Sequence, residues 1–252
     1  MDTFSLKNKV AIVTGASKGI GRAIAELYAQ YGAKVVVSSR NQEAVDEVAH
    51  TIKAQGHEAI GIAANAGKEA DLKHLVDATM DKYGQIDVLV NNAATNPVFG
   101  PVLNTDGASF DHIMNVNVKG PFELSKLAFP AMAKGGNGSI INISSIGGLS
   151  PEPLLGIYSV SKSALISLTK VMAKEFGAAG IRANVICPGL IKTKFSEALW
   201  SNEAVTEKMV KRLPLPRIGM PEDISGMALF LASDASSYCT GSVFTADGGY
   251  TI

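Results

Sequence analysis

Cysteine is nearly absent from this chain of 252 residues, which has two, Cys187 and Cys239. Two thiols exclude a disulfide framework and a Cys-rich metal site, and Cys187, inside an apolar run, reads as a buried thiol. The four histidines, His50, His57, His74 and His112, lack metal-ligand spacing such as H-E-x-x-H, so no metal is expected. Neither charge is in excess, with 23 Lys plus Arg against 23 Asp plus Glu. That removes the basic surface that nucleic acid or an anionic membrane would need. A local group, Lys208, Lys211 and Arg212, is accounted for by a solvated helix face. There is no run of about 18 apolar residues, so no membrane span is expected. The opening MDTFSLKNK has no apolar stretch of the secretory kind. The expectation is a soluble, cytoplasmic protein that acts on a small molecule.

What is present is periodic. Apolar residues make up 46% of the chain, enough for a substantial core. Lys9–Thr14 reads as a buried strand. It runs into Gly15-Ala-Ser17-Lys18-Gly19-Ile20-Gly21 and then a helical pattern. Strand, Gly-rich turn and helix are the setting of a phosphate-binding turn. Gly15 permits the tight turn, while Gly19 and Gly21 let backbone approach a pyrophosphate and let the helix pack closely. The helix N-terminus supplies N–H donors. The spacing G-x-x-x-G-x-G differs from the common G-x-G-x-x-G, and an ordinary Gly-rich turn is the plain alternative.

The second strand, Ala33–Ser38, ends in Ser38-Ser39-Arg40. An NAD-type fold places a carboxylate there for the ribose hydroxyls. Here an arginine is available for a 2′-phosphate instead, and Lys18 adds a second positive charge. That favours NADP(H) over NAD(H); a solvated loop arginine is the alternative. Helices are expected at 42–55, 69–83, 107–134, 156–179 and 221–233. Further strands are expected at 58–64, 86–90, 138–143, 181–187 and 241–245. The alternation predicts an α/β fold. It is a Rossmann-type doubly wound parallel sheet of about seven strands in three layers, forming a single domain over 1–252. Residues 190–220 read as a flap over a pocket or as a surface helix pair.

Ser145 follows the fifth strand, Tyr158 lies thirteen positions on, and Lys162 four further. Tyr158 and Lys162 share one helix face. A buried ammonium beside a phenol lowers its pKa, so such a Tyr exchanges protons with an alcohol near neutral pH. Ser145 can hydrogen-bond the same substrate oxygen. Y-x-x-x-K by itself is often a surface pair; the rest of the chain gives it weight.

With these residues in place the chain resembles the single-domain short-chain dehydrogenase/reductases, from about Leu6 to Tyr250. The likeness rests on Thr14–Gly21, Asn91–Ala94, Asn117 in N-V-N-V-K-G, Ile143–Ser145, Tyr158 with Lys162, and Pro188–Thr193. Ala94 stands where the family more often has Gly. The resemblance implies that Tyr158 is the general acid/base and that Lys162 lowers its pKa and holds the nicotinamide ribose. It further implies that Ser145 polarises the carbonyl and Asn117 anchors a water. Asn92 and Ala93 would lie along the cofactor, Asn65 beside the adenine through its side-chain carbonyl, and Pro188, Gly189, Ile191 and Thr193 at the nicotinamide.

A narrower likeness points to the NADP-dependent carbonyl and retinal reductase branch. The family resemblance also implies a homotetramer built through the helices at 107–134 and 156–179. Substrate walls are expected from Thr95–Val98, Gly147–Leu155 and Ile191–Trp200. Leu154, Leu155, Phe195, Leu199 and Trp200 suit a bulky apolar carbonyl or alcohol, or else a subunit contact. The competing readings are an NAD-dependent secondary-alcohol dehydrogenase, a nucleotide-sensing protein without catalysis, and an epimerase, for which the chain is short.

Overall fold

The computed structural model describes residues 3–201, 206–207, 210–211 and 213–252. Seven parallel strands form one sheet: β1 (Val10–Thr14), β2 (Lys34–Ser39), β3 (Ala59–Ala63), β4 (Val88–Asn91), β5 (Gly138–Ile143), β6 (Ile181–Pro188) and β7 (Val243–Ala246). Their order is β3-β2-β1-β4-β5-β6-β7. The chain winds outward from β1 in one direction, then returns to β4 on its other side. The carboxyl ends of β1 and β4 therefore open a crevice between diverging connections, the place where such sheets bind ligands.

Strand composition follows from burial on both faces. In β1, Ala11 and Val13 pack into one core, while Val10 and Ile12 pack into the other. The first core is closed by α1 (Gly19–Gln30), α2 (Gln42–Ala54) and the last long helix, α8 (Glu222–Ala232). The second is closed by α3 (Glu69–Tyr83), α5 (Gly120–Gly135) and α6 (Gly156–Phe176). Two short helices, α4 (Gly107–Met114) and α7 (Glu197–Trp200), flank the site. The Tyr28 hydroxyl donates to the Ala228 carbonyl at 2.8 Å and locks α1 to α8. Local signals set the ends. Asn41 and Asp106 cap α2 and α4 by accepting from Ala44 N–H and Ser109 N–H, and Gly84 stops α3 in the left-handed region.

The expected helix at 107–134 is one continuous rod with a wide turn inside it. Between α4 and α5, Asn115–Lys119 winds as a π-helix. Gly120 follows, pressed against the Ala66 carbonyl where no Cβ would fit. Such insertions mark functional sites more often than chance, and this one holds Asn117. The helix expected at 156–179 ends at Phe176, with a 3₁₀ turn over Gly177–Ala179. Strand and helix limits elsewhere move by one to two residues. In the stretch 190–220, α7 is a short helix and Ile191 forms a bridge with Gly219. Lys208 and Arg212 lie outside the described residues; Lys211 is exposed and pairs with Glu207 at 2.8 Å. Among the described residues no helix is long and apolar enough to cross a membrane.

Candidate active site

A cleft of about 950 Å³ runs along the carboxyl edge of the sheet. Gly15, Ser17, Lys18, Gly19 and Ile20 line it from the turn after β1, and Ser39 and Arg40 from the end of β2. Asn65, Asn92 and Ala93 line it after β3 and β4. Ser145, Tyr158, Lys162, Pro188, Gly189, Ile191 and Thr193 line it on the β5–β6 side. Three strand spacings, roughly 14 Å, separate β2 from β5.

The turn after β1 is built to admit a ligand close to backbone. Gly15 and Gly19 have φ of +64° and +59°, conformations that side chains disfavour. The turn is tied to β4 by Thr14, whose Oγ1 donates to Val90 carbonyl oxygen and accepts from Asn92 N–H and Ala93 N–H. Asn92 returns the tie, donating to the carbonyls of Thr14 and Gly15 at 2.9 and 3.1 Å. Sequence inspection missed Thr14 as a partner in this interlock; it belonged to the motif but its hydroxyl had no assigned task.

Gly21 and Asn117, both expected at the site, do not line the cleft. Gly21 is buried behind it, where a Cβ would meet Asn92 Nδ2 and Gly15 carbonyl oxygen at 2.5 Å. Its task is close packing of α1 on the turn. Asn117 is also buried. Its Oδ1 accepts from Thr95 N–H at 2.8 Å, and its Nδ2 donates to Thr95 carbonyl oxygen and Ser161 Oγ, each at 3.0 Å. Both amide hydrogens are thus spent, and the side chain holds the loop after β4 against α6. Asn65 is likewise engaged: its carbonyl oxygen, expected beside an adenine, accepts from Gly67 N–H at 3.0 Å.

Ser145 sits on a stiffened turn. Its Oγ accepts from Gly147 N–H at 3.1 Å. Ser144 Oγ donates to the Lys162 carbonyl at 2.9 Å and Ser163 Oγ to the Gly148 carbonyl at 2.6 Å. The turn is therefore stapled to α6, which carries Tyr158 and Lys162. Lys162 is buried, and its Nζ donates to the Ile143 carbonyl at 2.8 Å and stands 5.5 Å from the Tyr158 ring centre.

The expected lowering of the Tyr158 pKa by Lys162 is not found. Burial pushes the phenol up to about 12, and a side-chain hydrogen bond with Ser145 opposes this. Burial also pushes Lys162 down to about 8. Desolvation of the charged form is the largest cause of both shifts. The phenol is therefore held in its protonated, proton-donating form.

The expected substrate walls are partly corrected. Thr95, Asn96, Gly147, Glu152, Pro153, Leu155, Phe195 and Leu199 line the cleft. The Phe195 ring lies 6.0 Å from that of Tyr158. Leu154 and Trp200 do not line it. Leu154 has φ +72°, and its carbonyl accepts from Gly100 N–H at 3.0 Å, which turns the side chain outward and Leu155 inward. Trp200 instead bonds the loop beneath, donating from Nε1 to the Thr193 carbonyl at 3.1 Å. Phe99, His112 and Tyr250 are cleft residues that sequence reading did not single out.

The cleft suits a nicotinamide dinucleotide of the NAD(P) type. It offers a glycine cradle without Cβ atoms at Gly15 and Gly19, two cations at Lys18 and Arg40, and a buried ammonium at Lys162. Comparison with known proteins agrees in kind. A family model described as enoyl-(acyl carrier protein) reductase matches residues 15–251. Dehydrogenase/reductase SDR family member 4 of Sus scrofa is 45% identical over 244 residues, covering 97% of this chain and 88% of the relative. The Caenorhabditis elegans protein of that name is 42% identical over 247 residues, covering 96% and 95%. Among solved structures, a short-chain type dehydrogenase/reductase from Mycobacterium marinum has a TM-score of 0.93 at 38% identity, covering 100% of this chain and 98% of that one. A gluconate 5-dehydrogenase from Burkholderia cenocepacia J2315, in complex with NADP and tartrate, has a TM-score of 0.95 at 32% identity, covering 99% and 98%.

Proposed function

Because this chain belongs to the short-chain dehydrogenase/reductase family, we propose that it interconverts a ketone or aldehyde and a secondary alcohol with NADP(H), working chiefly as a carbonyl reductase. The observation that carries this reading is one continuous cleft that joins Lys18, Ser39 and Arg40 to Ser145, Tyr158 and Lys162. Bound in it, NADP(H) would supply or accept the hydride.

The protein's own residues do the rest. Lys18, Ser39 and Arg40 hold a 2′-phosphate, and the N–H groups around Ser17 to Ile20 hold the pyrophosphate. Ile191 and Thr193 orient the nicotinamide, beside Pro188 and Gly189. Asn65, Asn92 and Ala93 border the adenosine half. In reduction Tyr158 gives its proton to the carbonyl oxygen while Ser145 hydrogen-bonds the same atom. Lys162 contacts the ribose, and its ammonium stabilises the phenolate left behind. Leu155, Phe195 and Leu199 exclude water and favour an apolar substrate. The working form is a homotetramer in the cytoplasm.

Two variants test the reading together. Nicotinamide fluorescence should show tighter binding of NADPH than of NADH, with about tenfold or more lost for NADPH in Arg40→Ala, as expected for charge-assisted bonds. Tyr158→Phe should keep NADPH binding and lose roughly 10²–10⁴-fold in carbonyl reduction. Equal or better NADH binding would make an NAD-dependent alcohol dehydrogenase the better reading. Full activity in Tyr158→Phe would remove the assigned acid.

A further inference from the structure

Glu152 and Tyr250 come from distant parts of the chain and meet at the cleft. The Tyr250 hydroxyl donates to Glu152 Oε1 at 3.0 Å, and both residues line the cleft wall. Glu152 lies between Ser145 and Tyr158 in the chain, on the loop that also presents Pro153 and Leu155. The tail that brings Tyr250 is itself fixed. Asp247 accepts from Gly249 N–H, Thr251 N–H and Thr251 Oγ1 at 2.7–2.9 Å, and the Gly248 carbonyl accepts from Leu215 N–H at 3.0 Å.

Other charges along the cleft are spoken for. Arg217 and Asp223 face each other through two bonds of 2.6 and 2.7 Å. Asp247 serves its own tail. Lys18, Arg40 and Lys162 belong to the cofactor surface described above. Lys194 also lines the cleft but is exposed, whereas Glu152 is half-buried and held. Of the carboxylates that line the cleft, Glu152 is therefore the one neither paired with a cation, as Asp223 is, nor bound by N–H groups of its own segment, as Asp247 is.

We infer that Glu152, positioned by Tyr250, is a specificity-determining residue that turns away substrates bearing a carboxylate near the reacting carbonyl and selects uncharged ketones. The inference rests on the carbonyl-reductase reading above and narrows its substrate class. A like charge facing Glu152 in a hydrated cleft costs about fivefold in kcat/KM per contact.

The test uses benzoylformate and its methyl ester, which share one ketone and one ring and differ in charge. In purified protein with NADPH, the acid-to-ester ratio of kcat/KM is expected to rise about fivefold or more in Glu152→Gln. In the wild type it should also rise with added salt, and this salt effect should vanish in Glu152→Gln. A ratio within twofold of wild type in Glu152→Gln would overturn the inference. So would a salt effect that survives the substitution. If neither compound is reduced by a protein that binds NADPH, the reductase reading fails. Calorimetric affinity of the acid for the NADPH complexes of wild type and Glu152→Gln then decides the inference by the same fivefold criterion.

Discussion

Lys162 is a buried cation with a single neutral acceptor, the Ile143 carbonyl, and that arrangement has a measurable cost. Its folded pKa is depressed to about 8 from an ordinary 10.5 by burial. Between those two values the unfolded chain binds more protons than the folded one, so stability rises with pH across that window. Without cofactor, wild-type stability measured by urea unfolding should climb relative to Lys162→Met between pH 8 and 10.5, by at most about 1.4 kcal/mol per pH unit. A flat difference would mean that the ammonium is not desolvated. The spacing of Ser145, Tyr158 and Lys162 was legible in the sequence, because it is a property of one helix and one strand end. The direction of the Tyr158 shift was not. It depends on how much protein covers the phenol, and covering groups such as Phe195 are remote in sequence. The contacts of Asn117 were unreadable for a similar reason: its partners Thr95 and Ser161 lie 22 and 44 positions away.

At the scale of the element, α1 and α8 show how the same substitution takes opposite signs. A Cβ on Gly21 would strike Asn92 Nδ2 and the Gly15 carbonyl, both parts of the interlock under the cleft. Gly226, inside α8, has nothing within 4 Å of an added Cβ. Gly21→Ala should therefore destabilise by about 1–3 kcal/mol and weaken NADPH binding by nicotinamide fluorescence. Gly226→Ala should stabilise by about 0.4–1 kcal/mol through backbone entropy and leave binding alone. Calorimetric Tm values check both, and equal shifts would sink the packing argument. Alternation of apolar strands and amphipathic helices made β1 to β7 readable to within two residues and the end of α6 to within three. The π-turn at Asn115–Lys119 was unreadable. It adjoins Gly120, which packs where a Cβ would strike the Ala66 carbonyl, a contact between segments that no local pattern encodes.

For the whole molecule, the outer faces of α4, α5 and α6 carry exposed large apolar side chains. Phe110 is 41% exposed, Phe122 43%, Val160 50% and Val171 46%. Val160 and Val171 are eleven residues apart, three helical turns, so they share one stripe of α6. The opposite side of α6 carries Lys162, Leu165 and Ile166 into the protein. Covering this stripe would brace the helix that positions Tyr158, which links assembly to activity. The tetramer proposed above should give four times the 26.3 kDa chain mass by light scattering. Val171→Asp places a charge in the covered stripe, where an unpaired charge is strongly disfavoured, yet on a single chain the position is half open and the fold should tolerate it. The variant is expected to shift to smaller species, with NADPH-dependent reduction falling as the mass falls and rising again with protein concentration. A Val171→Asp protein that keeps the full mass would place the contact elsewhere. One that dissociates without losing activity would show that α6 is rigid enough alone, through the ties of Ser144 and Ser163 to the turn bearing Ser145.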